Sequence, residues 1–390
     1  MEESHSTQPD RIISRQATIN IGIIGHVAHG KSTLVRAISG INAMRNNSEQ
    51  ALNKTIKLGY ANAKTYTCDC EDCPRPTCYT SAGSEGTGSF ECNRDEFKDM
   101  YRLIHHVSFV YCLGHEIYMS TMLNGAAVMD AAILLIGANE PCPRPQTSEH
   151  LAAIEILKLG GVVVVQNKVD TISLEAAFTH NAPICRFTHD TVAGKSISIP
   201  TSTTFRWNLD AALERIAHIR PPDHNLTAPP TMDVVRSFDI GRPGCQIEKL
   251  RGGITGRSFR TNGKLSWTPL SSRIESLQIE SSNLDYAVPG GLIAVGSRLD
   301  SFLYLRGQLP PVYDELRIKY RFLRRILDPR LRNEKGKFKA VLIDKIVRVH
   351  VGNSRVCAKV TLSRVVNQHW KLVAKGTLVM GSETEQVDIC

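Results

Sequence analysis

The sequence lacks a hydrophobic run long enough to cross a membrane. Its longest strongly apolar stretches, residues 131–138 and 161–165, are far shorter than the roughly 20 residues that a membrane-spanning helix needs. The first 19 residues are polar and hold no apolar core of a secretory signal. These two absences predict a cytoplasmic protein with no membrane partner.

Acidic residues are scarce toward the end of the chain. Residues 311–380 contain 17 Lys or Arg against 5 Asp or Glu, and the formal net charge of the whole chain is +9. The densest basic stretch, residues 317–339, is interleaved with Tyr320 and Phe322. Such a stretch would attract a phosphate backbone. A solvated face that only keeps the protein soluble has the same composition, so both interpretations stay open.

The composition is that of an ordinary globular protein. With 390 residues, 42% of them hydrophobic and 22% charged, the chain has room for two or three domains. Short β-branched runs alternate with helix-length segments before the prolines at 221–222, and short runs broken by Gly, Ser and Pro follow them. The pattern predicts an α/β domain with a buried parallel sheet, followed by antiparallel β structure, with a second boundary near Pro310.

The segment after the first apolar run has the spacing of a phosphate-binding loop. Residues 25–32 (GHVAHGKS) match G-x-x-x-x-G-K-[ST] between a predicted strand and a predicted helix. In such a loop the backbone N–H groups and the lysine hold phosphates, and the hydroxyl ligates Mg²⁺. A coincidental glycine-rich turn is the alternative, and the flanking strand and helix argue against it. The nucleotide-binding candidates are Ala28, His29, Gly30, Lys31, Ser32 and Thr33.

A second motif predicts the nucleotide base. Asn167, Lys168 and Asp170 follow a four-valine run, which puts them at the carboxyl edge of the sheet where ligands bind. The Asp170 carboxylate can accept hydrogen bonds from the N1–H and the amine of guanine, a donor pair that adenine lacks. Alone, N-K-x-D is more often a turn. Together with the loop, it favours GTP over ATP.

These motifs resemble those of the translation-factor GTPases, and in particular of the gamma subunits of eukaryotic initiation factor 2. The resemblance covers most of the chain and is most specific in residues 16–31, 55–64, 122–133, 146–156, 235–239 and 286–293. It implies a GTP-binding domain followed by two β-barrels. It also implies GTP/GDP and Mg²⁺ as ligands, alpha and beta subunits as partners, and delivery of initiator methionyl-tRNA to the small ribosomal subunit.

The expected domain bounds combine the composition with this resemblance. We expect a flexible N-terminus (1–19), a GTP-binding domain (20–222) with a cysteine-rich insertion (66–95), a β-barrel (223–309) and a basic β-barrel-like domain (310–390). The stretches after residue 260, at 305–312 and at 355–360 look shortened against the family. Deleting strands opens barrel edges, so the tRNA and alpha-subunit surfaces are in question.

The resemblance also assigns roles by position. Thr55 corresponds to the first-switch hydroxyl that joins Ser32 on Mg²⁺. His115 corresponds to the histidine that orients the attacking water, and Gly114 precedes it. Ser202 and Thr203 match only in part the fifth guanine-contacting motif, which is usually Ser-Ala.

One departure bears on hydrolysis. The family reads Asp-Cys-Pro-Gly-His where this chain has Tyr111 to His115. A neutral phenol replaces the carboxylate that holds Mg²⁺ through water, so we expect weaker Mg²⁺ binding and slow or absent hydrolysis. His115 remains as the candidate catalytic residue.

The cysteines are unevenly distributed along the chain. The candidate zinc ligands crowd into 25 residues, a spacing that suits a metal or reduced-thiol site better than secreted disulfides: Cys68, Cys70, Cys73, Cys78 and Cys92. A second C-x-x-C pair is missing from the sequence, so an exposed insertion of the first switch without zinc is the alternative. His105 and His106 flank an apolar run, where a structural role is the simpler interpretation.

Three functions therefore compete. The first is a GTP-dependent carrier of initiator tRNA with weak hydrolysis. The second is a scaffold, nucleotide-gated or nucleotide-free, that engages the partner subunits without delivering tRNA, which Tyr111 and the shortened barrels favour. The third, a metabolic P-loop kinase, is opposed by the motif from Asn167 to Asp170.

Overall fold

The computed structural model describes residues 8–41, 59–92, 99–111, 128–223, 231–233, 260–261, 264–265, 276–279, 282–296, 302–304, 315–321, 346–351, 354–368 and 371–380. The chain divides into two compact units. The first comprises residues 1–226 and 277–294, and the second comprises residues 227–276 and 295–390. The division into three domains stays a prediction.

Five α-helices lie among the described residues of the first unit. They are α1 (Gln8–Arg15), α2 (Lys31–Ser39), α3 (Pro145–Leu157), α4 (Leu174–Thr188) and α5 (Leu209–Ala217). Its main strands are β1 (Ile19–Gly25), β2 (Gly59–Cys68), β3 (Tyr79–Gly83), β4 (Ser89–Glu91), β5 (Met100–Tyr111), β6 (Ala131–Gly137), β7 (Gly161–Asn167) and β8 (Ser198–Thr201). A 3-10 helix, Val169–Thr171, follows β7.

Short strands follow in the rest of the chain. They are β9 (Thr231–Asp233), β10 (Arg260–Thr261), β11 (Lys264–Leu265), β12 (Ser276–Ile279), β13 (Ser282–Asn283), β14 (Ala294–Gly296) and β15 (Phe302–Tyr304). Longer strands complete the second unit: β16 (Glu315–Arg321), β17 (Ile346–Val351), β18 (Ser354–Gln368) and β19 (Lys371–Met380).

One eight-stranded sheet organises the first unit. Its order is β3-β2-β5-β1-β6-β7-β8, and β4 pairs with β5. Strand β1 lies between β5 and β6, and both pair with it in parallel. Strands β7 and β8 extend the parallel part. The alternation of apolar runs and helices predicted this part of the sheet, because parallel neighbours need crossover helices.

Both faces of the sheet are buried. On β1, Ile19, Ile21 and Ile23 face one cluster with α2 and α5, and Ile24 faces a second cluster with α3. Successive side chains of a strand point to opposite faces, so a strand covered on both sides must be apolar throughout. This is why all seven residues of β1 and of β6 are buried.

The cysteine-rich insertion is part of this sheet, which the sequence did not predict. Strand β2 pairs antiparallel with both β3 and β5, and β4 also pairs antiparallel with β5. The expectation of an exposed insertion is wrong for four of its cysteines. They join the apolar cluster with Tyr66, Tyr79 and Tyr101: Cys68, Cys73, Cys78 and Cys92.

Helix α1 begins at residue 8 and packs beside β5, and the flexibility expected for residues 1–19 stays a prediction. Helix α1 precedes Gln16 and Ala17, and both of these residues are buried. On β5, the His106 imidazole bonds the Ile13 carbonyl oxygen through Nδ1 at 3.0 Å. His105 bonds the Ala217 carbonyl oxygen through its other ring nitrogen, Nε2, at 3.0 Å. Both histidines are structural, as the sequence indicated.

The second unit contains antiparallel β structure, as predicted for residues beyond 222. Its largest described sheet has the order β16-β19-β18-β17, and every pairing in it is antiparallel. Strands β9 and β15 form a separate antiparallel pair. Closure of these strands into barrels stays a prediction.

The buried core gives a direct test of the fold. Phe109 of β5 is fully buried, whereas Phe178 of α4 is 72% exposed. Phe109→Ala should lower the free energy of unfolding by about 3–5 kcal/mol, because it removes a buried ring and leaves a cavity. Phe178→Ala, the matched control, should change it by less than about 0.5 kcal/mol. Chemical denaturation measures both, and equal effects would contradict the assignment of the core.

Candidate functional site

The loop after β1 has a backbone that only glycine permits at two positions. Gly25 has φ +139°, and a Cβ atom there would lie 2.3 Å from the Leu135 carbonyl oxygen. Gly30 has φ +96°, and a Cβ atom there would lie 2.3 Å from the Asn167 amide nitrogen. The two glycines therefore let the loop pass close to β6 and β7 before α2 begins at Lys31.

The loop has the features that a polyphosphate needs. Gly30 is the N-cap of α2, so the free N–H groups of the first turn have no side-chain acceptor at that position, and that turn carries no acidic residue. The Lys31 ammonium group donates to the carbonyl oxygens of Gly25 (2.8 Å) and His26 (2.7 Å), which holds the charge over the loop. Ser32 follows on the first turn. These residues fit a nucleotide phosphate with Mg²⁺.

Asn167 joins the two predicted motifs. Its amide nitrogen donates to the His29 carbonyl oxygen at 2.9 Å, and its amide oxygen accepts from the Thr203 N–H at 3.1 Å. Asn167 is buried, as are Ser202 and Thr203. The structure thus brings together the phosphate loop, the N-K-x-D motif and the 202–203 segment that sequence reasoning treated separately.

The residues predicted to contact the base lie at the carboxyl end of β7 and directly after it. Lys168 follows β7 in a left-handed conformation (φ 65°), which turns the chain into the 3-10 helix that carries Asp170. Asp170 is exposed, and Lys168 is half-buried. An exposed carboxylate beside a buried amide can meet a base edge without the cost of burying an unpaired charge.

Two residues of α3 support the phosphate loop and were not singled out from the sequence. The Gly25 N–H donates to Nδ1 of His150 at 3.1 Å, and the Val27 N–H donates to the Gln146 amide oxygen at 3.2 Å. Both residues belong to the segment 146–156 that carried the resemblance. Their four-residue spacing puts them on one face of a helix, but only the packing of α3 beside β1 shows what they bond.

A buried polar network continues beneath the loop. His29 is buried, and its Nδ1 donates to the Leu135 carbonyl oxygen at 3.1 Å, while its Nε2 lies 3.5 Å from the Glu140 carboxylate. Burial lowers the pKa of His29 to about 4, against the raising effects of Leu135 and Glu140. His29 is therefore neutral at physiological pH.

The carboxylate of Glu140 is paired on its other side. The Arg144 guanidinium lies 2.9 Å from it, at the N-cap of α3. The Glu140 carbonyl oxygen accepts from His180 Nε2 at 2.8 Å, and Nδ1 of the same ring lies 3.2 Å from the Gln166 amide nitrogen. This network ties the loop after β6 to α3, α4 and β7, and apart from His29 none of its side chains was singled out from the sequence.

Several predicted site residues lie outside the described residues: Thr55, Gly114 and His115. Tyr111 ends β5, where its backbone is opposite Ile23 of β1 and Gly59 of β2. Ile23 lies two residues before Gly25, so the backbone of Tyr111 lies beside the strand that leads into the phosphate loop. The roles assigned to these four residues stay predictions.

The five cysteines proposed as zinc ligands are not joined in disulfides, and Cys70 is half-buried. Burial raises the pKa of Cys68 to about 12, and the neighbouring Cys92 and Cys73 also raise this pKa. Among the described residues, no group of three or more His, Cys, Asp or Glu side chains is arranged to hold a metal ion. The part of the chain that the structure describes also contains no helix long and apolar enough to span a membrane.

The fold and this site define a P-loop nucleotide-binding protein. Comparisons with known proteins narrow that class. The elongation factor Tu GTP binding domain family matches residues 16–222. Eukaryotic translation initiation factor 2 subunit 3 of Drosophila melanogaster is 43% identical over 95% of this chain and 90% of its own length. Eukaryotic translation initiation factor 2 subunit gamma of Schizosaccharomyces pombe is 42% identical over 95% of this chain and 95% of its own length.

Solved structures agree on the fold. A bacterial selenocysteine-specific elongation factor, EF-Sec, has a TM-score of 0.62 at 19% identity over 93% of this chain, which spans 53% of that protein. Elongation factor SelB from Methanococcus maripaludis, in complex with a GTP analogue, has a TM-score of 0.58 at 16% identity, covering 93% of this chain and 72% of its own. The chain belongs to the elongation factor Tu family of GTP-binding proteins and, within it, to the gamma subunits of translation initiation factor 2.

The link through Asn167 can be tested alone. Asn167→Ala leaves the His29 carbonyl and the Thr203 N–H without their partner, at a cost of about 1–3 kcal/mol each. We expect the Kd for GTP to rise by at least about tenfold, which is about 1.4 kcal/mol. Equilibrium titration with a fluorescent GTP analogue measures it. Asn139→Ala, at an exposed position, is the control, and equal affinities of the two variants would contradict this role of Asn167.

Proposed function

We propose that this protein binds GTP and, in that state, carries initiator methionyl-tRNA to the small ribosomal subunit together with alpha and beta subunits. The observation that supports this most is the site itself, in which Asn167 bonds both the phosphate loop and the 202–203 segment. The relatives of 42–43% identity are subunits of a translation initiation factor, and the chain shares nearly their full length.

Each residue of the site has a chemical part in binding. Lys31 meets the β and γ phosphates, together with the N–H groups at the start of α2. Ser32 and Thr55 ligate Mg²⁺, which neutralises phosphate charge when it is bound. Asp170 accepts from guanine, and Lys168 and the 202–203 segment complete the base pocket.

Hydrolysis is weak in this proposal. A translation GTPase needs a carboxylate near the metal and a group that orients water, and this chain keeps His115 but has Tyr111 in place of the carboxylate. A phenol in that place brings no carboxylate charge that would hold the metal. GTP therefore stays bound for longer than it would in a fast GTPase. This suits a carrier that responds to the bound nucleotide better than it suits an enzyme with rapid turnover.

The effect of Tyr111 has a simple test. Tyr111→Asp should restore a carboxylate at the metal. Adding Mg²⁺ should then raise the GTP affinity of this variant by more than about tenfold, or about 1.4 kcal/mol. Titrating GTP and GDP against both proteins over a range of Mg²⁺ measures this, and Tyr111→Phe is the matched control. If neither protein binds guanine nucleotide although both are folded, the chain is a scaffold at most and the carrier proposal fails.

The second unit has a charge arrangement that suits RNA. Lys319 of β16 is paired with Lys375 of β19, and Lys375 is paired with Arg364 of β18. Three basic residues thus occupy facing register positions on three neighbouring strands. Like charges directly opposite one another destabilise a sheet, and a polyanion laid across them would offset that repulsion.

Binding of tRNA supplies the test of this surface. Full-length protein with GTP should bind initiator methionyl-tRNA more tightly than with GDP, as measured by filter binding. Replacing Lys319, Lys375 and Arg364 by alanine should reduce the slope of log affinity against log salt concentration by about 2–3. Each phosphate contact contributes about 0.7–0.9 to that slope. Alanine at the exposed Arg36, Arg186 and Lys195 is the control, and an equal change there would contradict the assignment.

Helix α4 offers a surface for the beta subunit. Leu174 and Phe178 are 74% and 72% exposed and stand four residues apart, so they share one face of the helix. Ala182 and Cys185 continue the exposed apolar stripe. Large exposed apolar side chains in one stripe are typical of a protein interface. The family resemblance puts the beta subunit on the GTP-binding domain, so we assign this stripe to it.

A charge on the stripe should weaken that interface. Phe178→Asp should lower the affinity for the isolated beta subunit by at least about tenfold, as expected for a buried aromatic contact. Thr179→Asp puts the same charge on the neighbouring exposed position and is the control. Calorimetric titration measures both, and unchanged binding by Phe178→Asp would remove α4 from the interface.

The scaffold remains the second candidate function, and Tyr111 favours it. It differs from the carrier in one measurable respect: a scaffold, nucleotide-gated or nucleotide-free, engages the partner subunits but shows no GTP-dependent binding of initiator methionyl-tRNA. Zinc is not part of either proposal, since it rests on cysteine spacing alone.

A further inference from the structure

A segment near residue 290 belongs to the first unit although the chain on both sides of it belongs to the second. Residues 277–294 pack with the first unit, between residues 227–276 and 295–390. Within this segment, residues 285–292 (DYAVPGGL) lie along the start of β1, and we call them the anchor. The function proposed above does not use it.

Buried amide side chains hold the backbone of the anchor. Gln16 is 3% exposed, and its amide donates to the Val288 carbonyl oxygen at 2.7 Å and accepts from the Val288 N–H at 3.0 Å. Asn20 is 5% exposed, and its amide nitrogen donates to the Gly290 carbonyl oxygen at 2.8 Å. The Gly291 N–H donates to the Ala17 carbonyl oxygen at 2.8 Å. Four hydrogen bonds therefore hold residues 288–291 against the start of β1, much as backbone hydrogen bonds hold an edge strand on a sheet.

The approach is so close that only glycine fits. A Cβ atom at Gly290, which has φ +136°, would lie 2.8 Å from the backbone of Thr18. A Cβ atom at Gly291 would lie 2.5 Å from the Ala17 Cβ and 2.6 Å from its carbonyl oxygen. The obstructing atoms are backbone or Cβ atoms, which cannot rotate away. The two glycines are thus needed for contact with the first unit.

The surface beneath the anchor is itself fixed. The Asn20 N–H donates to the Asp130 carboxylate at 2.7 Å, and the Asp130 N–H donates to the Asn20 carbonyl oxygen at 2.9 Å. Strand β1 continues from Asn20 into the centre of the parallel sheet, and Leu292 packs against the apolar cluster on one face of that sheet. Central strands are the last part of a domain to open.

We infer that the anchor stays docked on the first unit whichever guanine nucleotide is bound. Conformational change in the chain on either side must then begin outside residues 285–292, at the joints near 276 and 294. The inference depends on buried hydrogen bonds and on glycine packing, and it holds whether or not the protein carries tRNA.

Hydrogen exchange on the full-length protein tests this directly. In the wild type, the Val288 and Gly291 amides should exchange at least about 100-fold more slowly than in an unstructured peptide. Their rates with GTP and with GDP should agree within about threefold. Loss of protection in either nucleotide state would overturn the inference, and so would absence of protection in both. GTP and GDP binding is measured in a separate titration, so a protein that fails to bind nucleotide is distinguished from one in which the anchor is not docked.

Variants separate the anchor from general stability. Gly291→Ala should abolish the protection of Val288 and Gly291 while the amides of β6 stay protected. Gly160→Ala is the matched control, because no atom lies within 4 Å of a Cβ at that position. If Gly291→Ala does not fold, Gln16→Met removes two of the hydrogen bonds at nearly constant size and should raise the Val288 exchange rate at least about tenfold. Wild-type protection in the variant that folds would overturn the role of these contacts.

Discussion

The amide of Asn167 is the contact on which the site depends most. It faces the phosphate loop on one side and the 202–203 segment on the other, and it is buried with both hydrogen bonds made. A buried amide with satisfied partners fixes the distance between two groups, because breaking either bond leaves a polar group without water. The two halves of a nucleotide site are thereby held at one spacing by one side chain. Gln146, His150 and the network around Glu140 hold the same loop from the opposite side.

Strand β1 gives this arrangement its rigidity. Its carboxyl end becomes the phosphate loop, and its amino end carries the hydrogen bonds to residues 288–291. At the carboxyl end Gly25 approaches the backbone of β6, and at the amino end Gly290 and Gly291 of the distant segment approach the backbone of residues 17–18, in each case too closely for any other residue. A strand paired on both sides and covered on both faces opens last, so the two ends are held in a fixed relation. This chain therefore holds its nucleotide site and a distant segment, residues 288–291, on one central strand.

Local patterns predicted the parts of the structure that depend on neighbours in sequence. The strand, glycine loop and helix at residues 19–39 and the turn at Asn167–Asp170 could be read directly, because φ constraints, apolar runs and helix starts are local. Contacts between distant segments could not be read. The bonds of Gln146 and His150 to the loop, of Gln16 to Val288 and of His106 to Ile13 all depend on packing. The buried cysteines were misjudged for the same reason, since their burial follows from antiparallel pairing of β2 and β5.

The central claim is that this pocket selects guanine through Asp170, and competition binding tests it most directly. The wild type should bind GTP at least about 100-fold more tightly than ATP or xanthosine triphosphate, because only guanine offers the donor pair that the carboxylate accepts. Asp170→Asn presents an amide donor in place of one carboxylate oxygen, so its preference should shift from GTP to xanthosine triphosphate. Equal binding of ATP and GTP by the wild type, or an unchanged preference in Asp170→Asn, would contradict the account.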